Sequence, residues 1–543
     1  MFCLPSTEVN KFLEQLKSGK IDPAKLSEMS SIERREFFKQ FMSESSAKQT
    51  NALFESKLLL KNQQKGIINW AKSIAGLKPE VLRDMVTKVE NMTEVLQPDK
   101  IDSFLSDLVE QRLGMTVTPS EASKIVELSK ALKDAKEKMM AGGDRLEYGN
   151  ARVAFGNYIA DLKNNIPVNK NIGQYLLDAA SASKSVKASL DNSAIFRQGW
   201  KTMITNPNLW FKNAKQSFKD IKNTFQGQEV LDAVNADLYS RPNYELYRRA
   251  KLAIGVIEEA YPSSLPEKLP IIGKAFKASQ SAFTGFVMRQ RADIFDKYIE
   301  IAKNSDIPLD KAQLESIGSL VNSLTGRGRL GKFEPAADTI NSVFFSPRLL
   351  KSNIDILTAH QFQKGITPFA RRQAAINLMK ILIGGATILT IANAIRPGSV
   401  ETDPRSADFG KMKIGDTRFD ITGGMSGLII LMARMALQGT KDAKGKIVPI
   451  NTDKFGSKTT TDLLVNFFEN KLSPVASVLN DLLIRHRTFD YKNPTLKTEA
   501  VNLLVPLPIT NYMELKDNPN SANIILSMIA DALGIGVNTY TKK

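Results

Sequence analysis

The sequence predicts a mainly α-helical protein, built from multi-helix bundles with one small β-hairpin near residues 409–421. Three observations support this fold class. Apolar residues recur with the 3.6-residue period of helices over most of the chain. Proline close to an acidic residue marks several helix starts. Alternation with a two-residue period is confined to one short segment. An apolar content of 42% in 543 residues is enough for several packed cores.

Changes in composition divide the chain into five regions. Residues 1–140 are predicted to be an N-terminal helical region. Residues 141–195 are a hinge and linker, which opens at Gly142 and Gly143 and contains a polar stretch poor in large apolar residues. Residues 196–370 form a central helical domain rich in aromatic and basic residues. Residues 371–440 form an apolar helix–β-hairpin–apolar helix unit, and residues 441–543 a C-terminal helical region.

Helix signals follow one another through the first region. Serine or threonine stands at the start of the first two predicted helices, proline near the first turn of three others, and Gly19 closes the first. The predicted helices lie within residues 6–19, from Ser31 onward, over residues 51–70, and after Pro79, Pro98 and Pro119.

Aromatic and basic residues are interleaved from residue 196 onward, which is typical of platforms where bases stack and phosphates pair with lysine. The candidate nucleic-acid residues are Lys201, Trp210, Phe211, Lys212 and Lys215. The alternative is an amphipathic helix with Trp210, Phe211, Phe218 and Phe225 toward a core and lysines in water. We favour this alternative, because stacking platforms usually occur on sheets and barrels.

Residues 376–395 are almost uninterruptedly apolar or small, and their only charge is Lys380. About twenty such residues cross the ~30 Å hydrocarbon layer of a bilayer. Lys380 lies near the start, where its amine would reach the headgroups. Basic residues flank the segment at Arg371, Arg372 and Arg396. The candidate membrane-interacting residues are Ile376, Leu378, Ile381, Ile383, Ile388, Ile391 and Ile395.

Three interpretations of this segment remain open from the sequence. It is a buried core helix, a membrane span, or a helix stored inside an assembly and exposed later. A second apolar run, residues 427–437, is too short to span and contains Arg434, so we expect it to be interfacial or core.

The clearest hairpin signal lies between these runs, where residues 411–421 alternate around Gly415 and Asp416. Four carboxylates occur nearby, but the 12-residue spacing of a calcium loop with its terminal glutamate is absent. We therefore expect Asp403, Asp408, Asp416 and Asp420 to form turns and ion pairs.

Composition and motifs argue against an enzyme. His360 and His486 are far apart and Cys3 is the only cysteine, so no usual zinc set and no intrachain disulfide can be assembled. No nucleophile elbow, P-loop or kinase motif occurs. A lysozyme-type pair of carboxylates leaves little spacing signature, and we find no specific case for one. We expect no cofactor, no metal and no secretory signal.

Net charge favours polyanionic partners. The formal charge is +17 and the pI about 9.5, which suits nucleic acid, anionic headgroups or acidic proteins.

A family resemblance is carried by the apolar segment and the sequences on either side of it. NSVFFSPRLLKSNID precedes the segment, and DPRSADFGKMKIGDTRFDITGG follows it. Over roughly residues 196–437 the chain resembles the C-terminal region of large polyvalent protein-associated domains, which occur in multidomain proteins of tailed bacteriophages. The resemblance implies a virion protein carried in the particle interior and delivered with the genome. The partners that it implies are other virion proteins, packaged DNA and the host membrane, and it leaves homo-oligomerisation open. On infection the protein would lie transiently in the host membrane or cytoplasm. The resemblance brings no catalytic residues.

The sequence thus favours an internal, ejection-type virion protein without enzymatic activity. Two rivals are a structural component of a portal, neck or capsid that makes no membrane contact, and a nucleic-acid-binding protein.

Overall fold

A computed structural model of the protein describes residues 31–40, 119–164, 183, 192–254, 272–442, 444–451, 458–485, 495, 499, 503, 505–518 and 520–540. The chain divides into two compact units, one of Met1–Asn169 with Asn235–Arg241 and one of Lys170–Val234 with Pro242–Lys543. The described residues are mainly helical with a few short antiparallel strands, so the predicted fold class is confirmed. The predicted helices before residue 31 and between residues 41 and 118 lie outside the described residues, and the five-region division stays a prediction.

The first unit contains a helical hairpin. The described helices of this unit are α1 (Ser31–Lys39), α2 (Pro119–Met140) and α3 (Arg145–Asn164), and α2 and α3 form the hairpin. Helix α2 ends where the glycine pair predicts, because Gly142 turns the chain with φ at +91°. An ion pair of 2.7 Å between Lys138 and Glu147 joins the two arms beside this turn. Ile125 on α2 and Phe155 on α3 are fully buried.

The helices that follow along the chain have these bounds: α4 (Trp200–Thr205), α5 (Pro207–Phe225), α6 (Val230–Ser240), α7 (Tyr244–Arg249), α8 (Ile272–Asn304), α9 (Lys311–Leu324), α10 (Ala337–Val343), α11 (Pro347–Ile354), α12 (His360–Phe362), α13 (Pro368–Ile395), α14 (Met425–Ala436), α15 (Thr460–Glu469), α16 (Pro474–Leu479), α17 (Leu507–Lys516) and α18 (Ile524–Ala532). Residues 349–362, predicted as one helix, form α11, a π-helical turn (Asp355–Ala359) and α12.

Helix α8 is the centre of the second unit, and α5 packs along it. Phe276, Phe286 and Phe295 of α8 are fully buried. The layer between α5 and α8 contains polar groups beside an apolar cluster with Ala214 and Phe286: Nδ2 of Asn213 donates to Oε1 of Gln290 at 3.0 Å. A buried hydrogen bond of this kind fixes the register of the two helices.

A three-stranded antiparallel sheet has the order β1 (Lys411–Ile414), β2 (Thr417–Asp420), β5 (Gly536–Thr539). The β1–β2 hairpin confirms the prediction. Gly415 has φ at +60°, and a Cβ there would lie 2.1 Å from the carbonyl oxygen of Asn520, so only glycine fits this turn. Two features were not predicted: strand β5, and a second hairpin of β3 (Gly439–Lys441) with β4 (Ile447–Pro449).

The carboxylates around the first hairpin act as expected. Asp403 pairs with Arg405 at 3.0 Å and Asp408 with Arg418 at 2.7 Å. Asp420 accepts a hydrogen bond from the backbone N–H of Thr422 at 2.8 Å. Their prediction as turn formers and ion-pair partners is confirmed for these three.

Candidate membrane-interaction site

The first half of α13 is packed into the second unit. The helix starts at Pro368, and Oγ1 of the preceding Thr367 caps it by accepting from the N–H of Ala370 at 3.4 Å. Its buried residues are Ala370, Ala374, Asn377 and Ile381, whose spacing places them on one helical face.

One hydrogen bond ties this packed face to α8. Nδ2 of Asn377 donates to the hydroxyl oxygen of Tyr298 at 2.6 Å, and both groups are buried. Burial raises the pKa of Tyr298 to about 12, against a smaller lowering by Asn377, so the phenol stays protonated at neutral pH.

The second half of α13, residues 382–395, contains no buried side chain in this structure. Exposed fractions are 62% for Ile383, 54% for Ile391 and 80% for Ile395. Within the described part of the chain, α13 is the one helix long and apolar enough to cross a membrane, and only 17% of its most apolar 18-residue window is buried. A buried core helix would show the reverse, so that interpretation does not fit the second half.

The predicted membrane residues fall into three groups. Ile383, Ile391 and Ile395 are exposed, whereas Ile376, Leu378 and Ile388 are half-buried. Ile381 is only 2% exposed, so its assignment is wrong for this conformation, because it belongs to the packed face. The flanking Arg371, Arg372 and Arg396 are exposed, as is Lys380.

Two exposed side chains were missed, Met379 (61%) and Leu382 (50%). Met379 lies one helical turn before Ile383 and Leu382 one turn after Leu378, each at a spacing of four residues from a predicted member. The helical period therefore contained a signal for Met379 and Leu382 that the predicted set of six isoleucines and Leu378 did not include.

A tight turn fixes the exposed end of α13. Oδ1 of Asn393 accepts from the N–H of Gly398 at 3.0 Å, and Gly398 has φ at +77°. Oγ of Ser399 donates to the carbonyl of Ala392 at 3.2 Å, and the carbonyl of Ser399 accepts from Lys413 of β1 at 2.7 Å. The apolar half thus lies between a packed first half and the sheet.

The second apolar run forms α14, and it is largely core. Met425, Leu428 and Leu431 are buried. Nε of Arg434 donates to the carbonyl of Arg405 at 2.7 Å, and burial lowers the pKa of Arg434. Of the two alternatives, the structure favours core.

The candidate nucleic-acid residues do not form one surface. Lys201 is fully buried, so its assignment is wrong for this conformation. Trp210 is half-buried, and its Nε1 donates to the carbonyl of Ile195 at 2.9 Å. Phe211, Lys212 and Lys215 are exposed on α5, as are Phe218 and Phe225. The favoured alternative is therefore also wrong for these three phenylalanines, which point to solvent; only Trp210 reaches a core.

Lys201 instead joins three helices. Its Nζ donates to the carbonyl of Ser323 on α9 at 3.2 Å, and to Oγ of Ser352 at 3.2 Å and Oδ1 of Asn353 at 3.1 Å, both on α11. Burial lowers the pKa of Lys201 to about 7, although nearby Asp355 acts in the opposite direction. The amine uses all its donors within the fold and has no surface left for a ligand.

His360 lies in the same polar interior. Its Nε2 is 3.5 Å from Oγ of Ser319, and burial lowers its pKa to about 4, so the ring is neutral at pH 7. Among the described residues, no group of three or more His, Cys, Asp and Glu side chains has the arrangement of a metal site.

Comparisons of the chain with family models, curated proteins and solved structures found no match.

Proposed function

We propose that this protein is an internal, ejection-type virion protein of a tailed bacteriophage that engages the host membrane through the second half of α13. The observation that carries the membrane part is the row of exposed apolar side chains on residues 382–395. Contiguous apolar surface of this kind marks an interaction site.

Two sequence features support the virion setting. The resemblance to large polyvalent protein-associated domains supports a protein of a tailed bacteriophage. The net charge of +17 favours non-specific contact with packaged DNA. Other virion proteins, and further copies of the same chain, are the partners that this setting implies.

The length of the exposed half defines how it meets a bilayer. Residues 382–395 extend about 21 Å at 1.5 Å per residue, which is less than the ~30 Å of a hydrocarbon core. The folded chain therefore inserts this half into one leaflet, and a complete span requires the packed half to be released.

The same length supports a second candidate, a non-membrane structural component of the particle. An apolar surface about 21 Å long is also suitable for packing against a helix of another virion protein, such as a portal, neck or capsid subunit. Vesicle binding by the purified chain distinguishes the two functions. A membrane-inserting protein is expected to bind vesicles when no other virion protein is present, whereas a purely structural component is not.

Vesicle flotation with a triple variant, Ile383→Ser, Ile391→Ser and Ile395→Ser, tests the membrane function. Full burial of one such side chain contributes about 1.5–3 kcal/mol. On average about two thirds of each side chain is exposed, so the three together contribute about 3–6 kcal/mol on insertion. We expect the apparent vesicle affinity to fall by two to four orders of magnitude.

Helix α18 offers a matched control. Ile525, Leu526 and Ile529 are exposed to 69%, 66% and 52%, so changing all three to serine removes a similar apolar area elsewhere. Equal loss in both variants would show that general hydrophobicity, not α13, determines binding, and would reject the proposal. Mass spectrometry of purified particles tests the virion part, which fails if the protein is absent from them.

A further inference from the structure

Helix α5 has its polar face inward and its aromatic face outward. Asn213, Ser217 and Asp220 are 1%, 0% and 1% exposed. They bond to neighbouring elements: Oγ of Ser217 donates to the carbonyl of Ala282 at 3.1 Å, and Asp220 pairs with Arg289 at 2.5 Å. Surface helices of globular proteins normally bury their large apolar residues instead.

The outer face carries three phenylalanines in one row. Phe211, Phe218 and Phe225 are exposed to 67%, 51% and 52%. Their spacing of seven residues keeps them on nearly the same side of the helix, with a drift of about 20° per step. At 1.5 Å per residue the row is about 21 Å long. Three exposed rings in line form a patch, which is more than scattered surface phenylalanines provide.

Lysines accompany this row, and acidic side chains do not. Lys212, Lys215, Lys219 and Lys222 are all exposed. Lys212 pairs with Asp293 at 3.1 Å, whereas no ion pair joins the other three to any described residue. The single acidic residue of α5 is the buried Asp220. The exposed face is therefore both apolar and positively charged.

We propose that the exposed Phe–Lys face of α5 is a docking surface for anionic phospholipid headgroups. An interfacial helix places aromatic side chains about 5–10 Å deep and keeps lysines at the level of the phosphates, which is the arrangement of this face. The face is already outward, so docking requires no rearrangement of α5 or α8. This surface is separate from α13 and goes beyond the insertion proposed for that helix.

A single-stranded nucleic acid is the rival occupant, and the geometry favours it less. Stacking would use the indole of Trp210, but this ring points inward, with Nε1 bonded to Ile195 and the ring packed on Phe196 at 5.5 Å between centroids. The remaining rings are about 10 Å apart along the helix axis, whereas stacking platforms hold successive bases side by side.

The experiment measures binding of the full chain to two kinds of vesicle, phosphatidylcholine alone and phosphatidylcholine with about one third phosphatidylglycerol. We expect tighter binding to the anionic vesicles, weakening with salt as surface electrostatics are screened. We expect the triple variant Lys215→Gln, Lys219→Gln and Lys222→Gln to bind anionic vesicles with about 100-fold lower affinity, at roughly fivefold per lysine. Its affinity for neutral vesicles should not change. Gln has nearly the helix propensity of Lys, so the fold is retained.

Exposed lysines elsewhere provide the charge-matched control. Lys444→Gln, Lys446→Gln and Lys516→Gln together remove the same net charge from other surfaces. We expect this control to bind anionic vesicles within about threefold of the unchanged protein, since distant charges are screened beyond ~10 Å. Equal losses in both triple variants would overturn the proposal, because net charge alone would then explain the binding.

The aromatic row is tested with Phe211→Gln and Phe218→Gln. Its control is Phe333→Gln with Phe362→Gln, at side chains exposed to 67% and 82%. We expect only the α5 pair to weaken binding to anionic vesicles, by at least tenfold. If this pair instead reduces binding of a single-stranded oligonucleotide and leaves vesicle binding unchanged, the lipid assignment is wrong.

Repeating the lysine series in the α13 triple-serine background separates the two proposals. If the lysine variant binds anionic vesicles less well and the α13 triple-serine variant binds as the unchanged protein does, only the function proposed for α13 is rejected. If the lysine variant binds as the unchanged protein does and the α13 triple-serine variant binds less well, only the α5 docking surface is rejected.

Discussion

Gly384 and Gly385 are neighbours in the middle of α13, but only Gly384 faces another helix. A Cβ atom at Gly384 would lie 2.6 Å from Cγ2 of Ile204 on α4, whereas a Cβ at Gly385 has no heavy atom of the described chain within 4 Å. Alanine in place of a helical glycine stabilises a helix by about 1 kcal/mol. We therefore expect Gly385→Ala to raise the free energy of unfolding by about 1 kcal/mol.

At Gly384 an overpacking cost opposes the same gain. Ile204 is β-branched and has one strongly favoured χ1 rotamer in a helix, so it moves aside only at a cost of about 1–3 kcal/mol. Gly384→Ala should therefore be less stable than Gly385→Ala by about 1–3 kcal/mol. Urea unfolding followed by circular dichroism measures this difference, and each variant is the other's control. Equal free energies would refute the contact between α13 and α4.

Two further predictions concern buried polar groups. The folded pKa of Lys201, about 7, lies below its ordinary value of 10.5, so its destabilising effect is complete below pH 7 and declines as the pH rises to 10.5. Between pH 7 and 9 the free energy of unfolding should rise by about 2 kcal/mol more in the unchanged protein than in Lys201→Met; parallel urea midpoints in the two proteins would contradict this. Asn377→Leu removes the bond to Tyr298 and makes α13 more apolar, so it should lower stability by about 1–3 kcal/mol and increase vesicle binding. Tyr298→Phe removes the same bond without changing α13, and a larger increase in binding from this control would show that release, not hydrophobicity, limits insertion.

The sequence predicted the elements whose signals are local. The β1–β2 hairpin depends on alternation around Gly415, and α2 ends beside Gly142, because turn chemistry is contained in a few adjacent residues. Strand β5 was missed since its pairing partner Phe419 lies more than a hundred residues before Val537. No local pattern records a partner at that separation.

Orientation was harder to predict than periodicity. The spacing of Phe211, Phe218 and Phe225 correctly places them on one face of α5, but periodicity does not say which face turns inward. The usual assumption puts aromatic rings in the core, whereas here the partners on α8, including Gln290 and Arg289, are polar and select the opposite face. Lys201 gave no signal either, because its acceptors come from α9 and α11.

The two candidate membrane surfaces differ in what they require of the fold. Docking by α5 uses side chains that already face outward, so its free energy comes from charge and aromatic contact without loss of packing. Insertion of residues 382–395 into one leaflet keeps the first half packed, but it must loosen the approach of Gly384 to Ile204 on α4. A complete span by α13 must move Asn377 and Ile381 out of the packed face and break the bond to Tyr298. If both proposals hold, we expect charge-dependent docking to come before a complete span, because only the span must break the packing of the first half of α13.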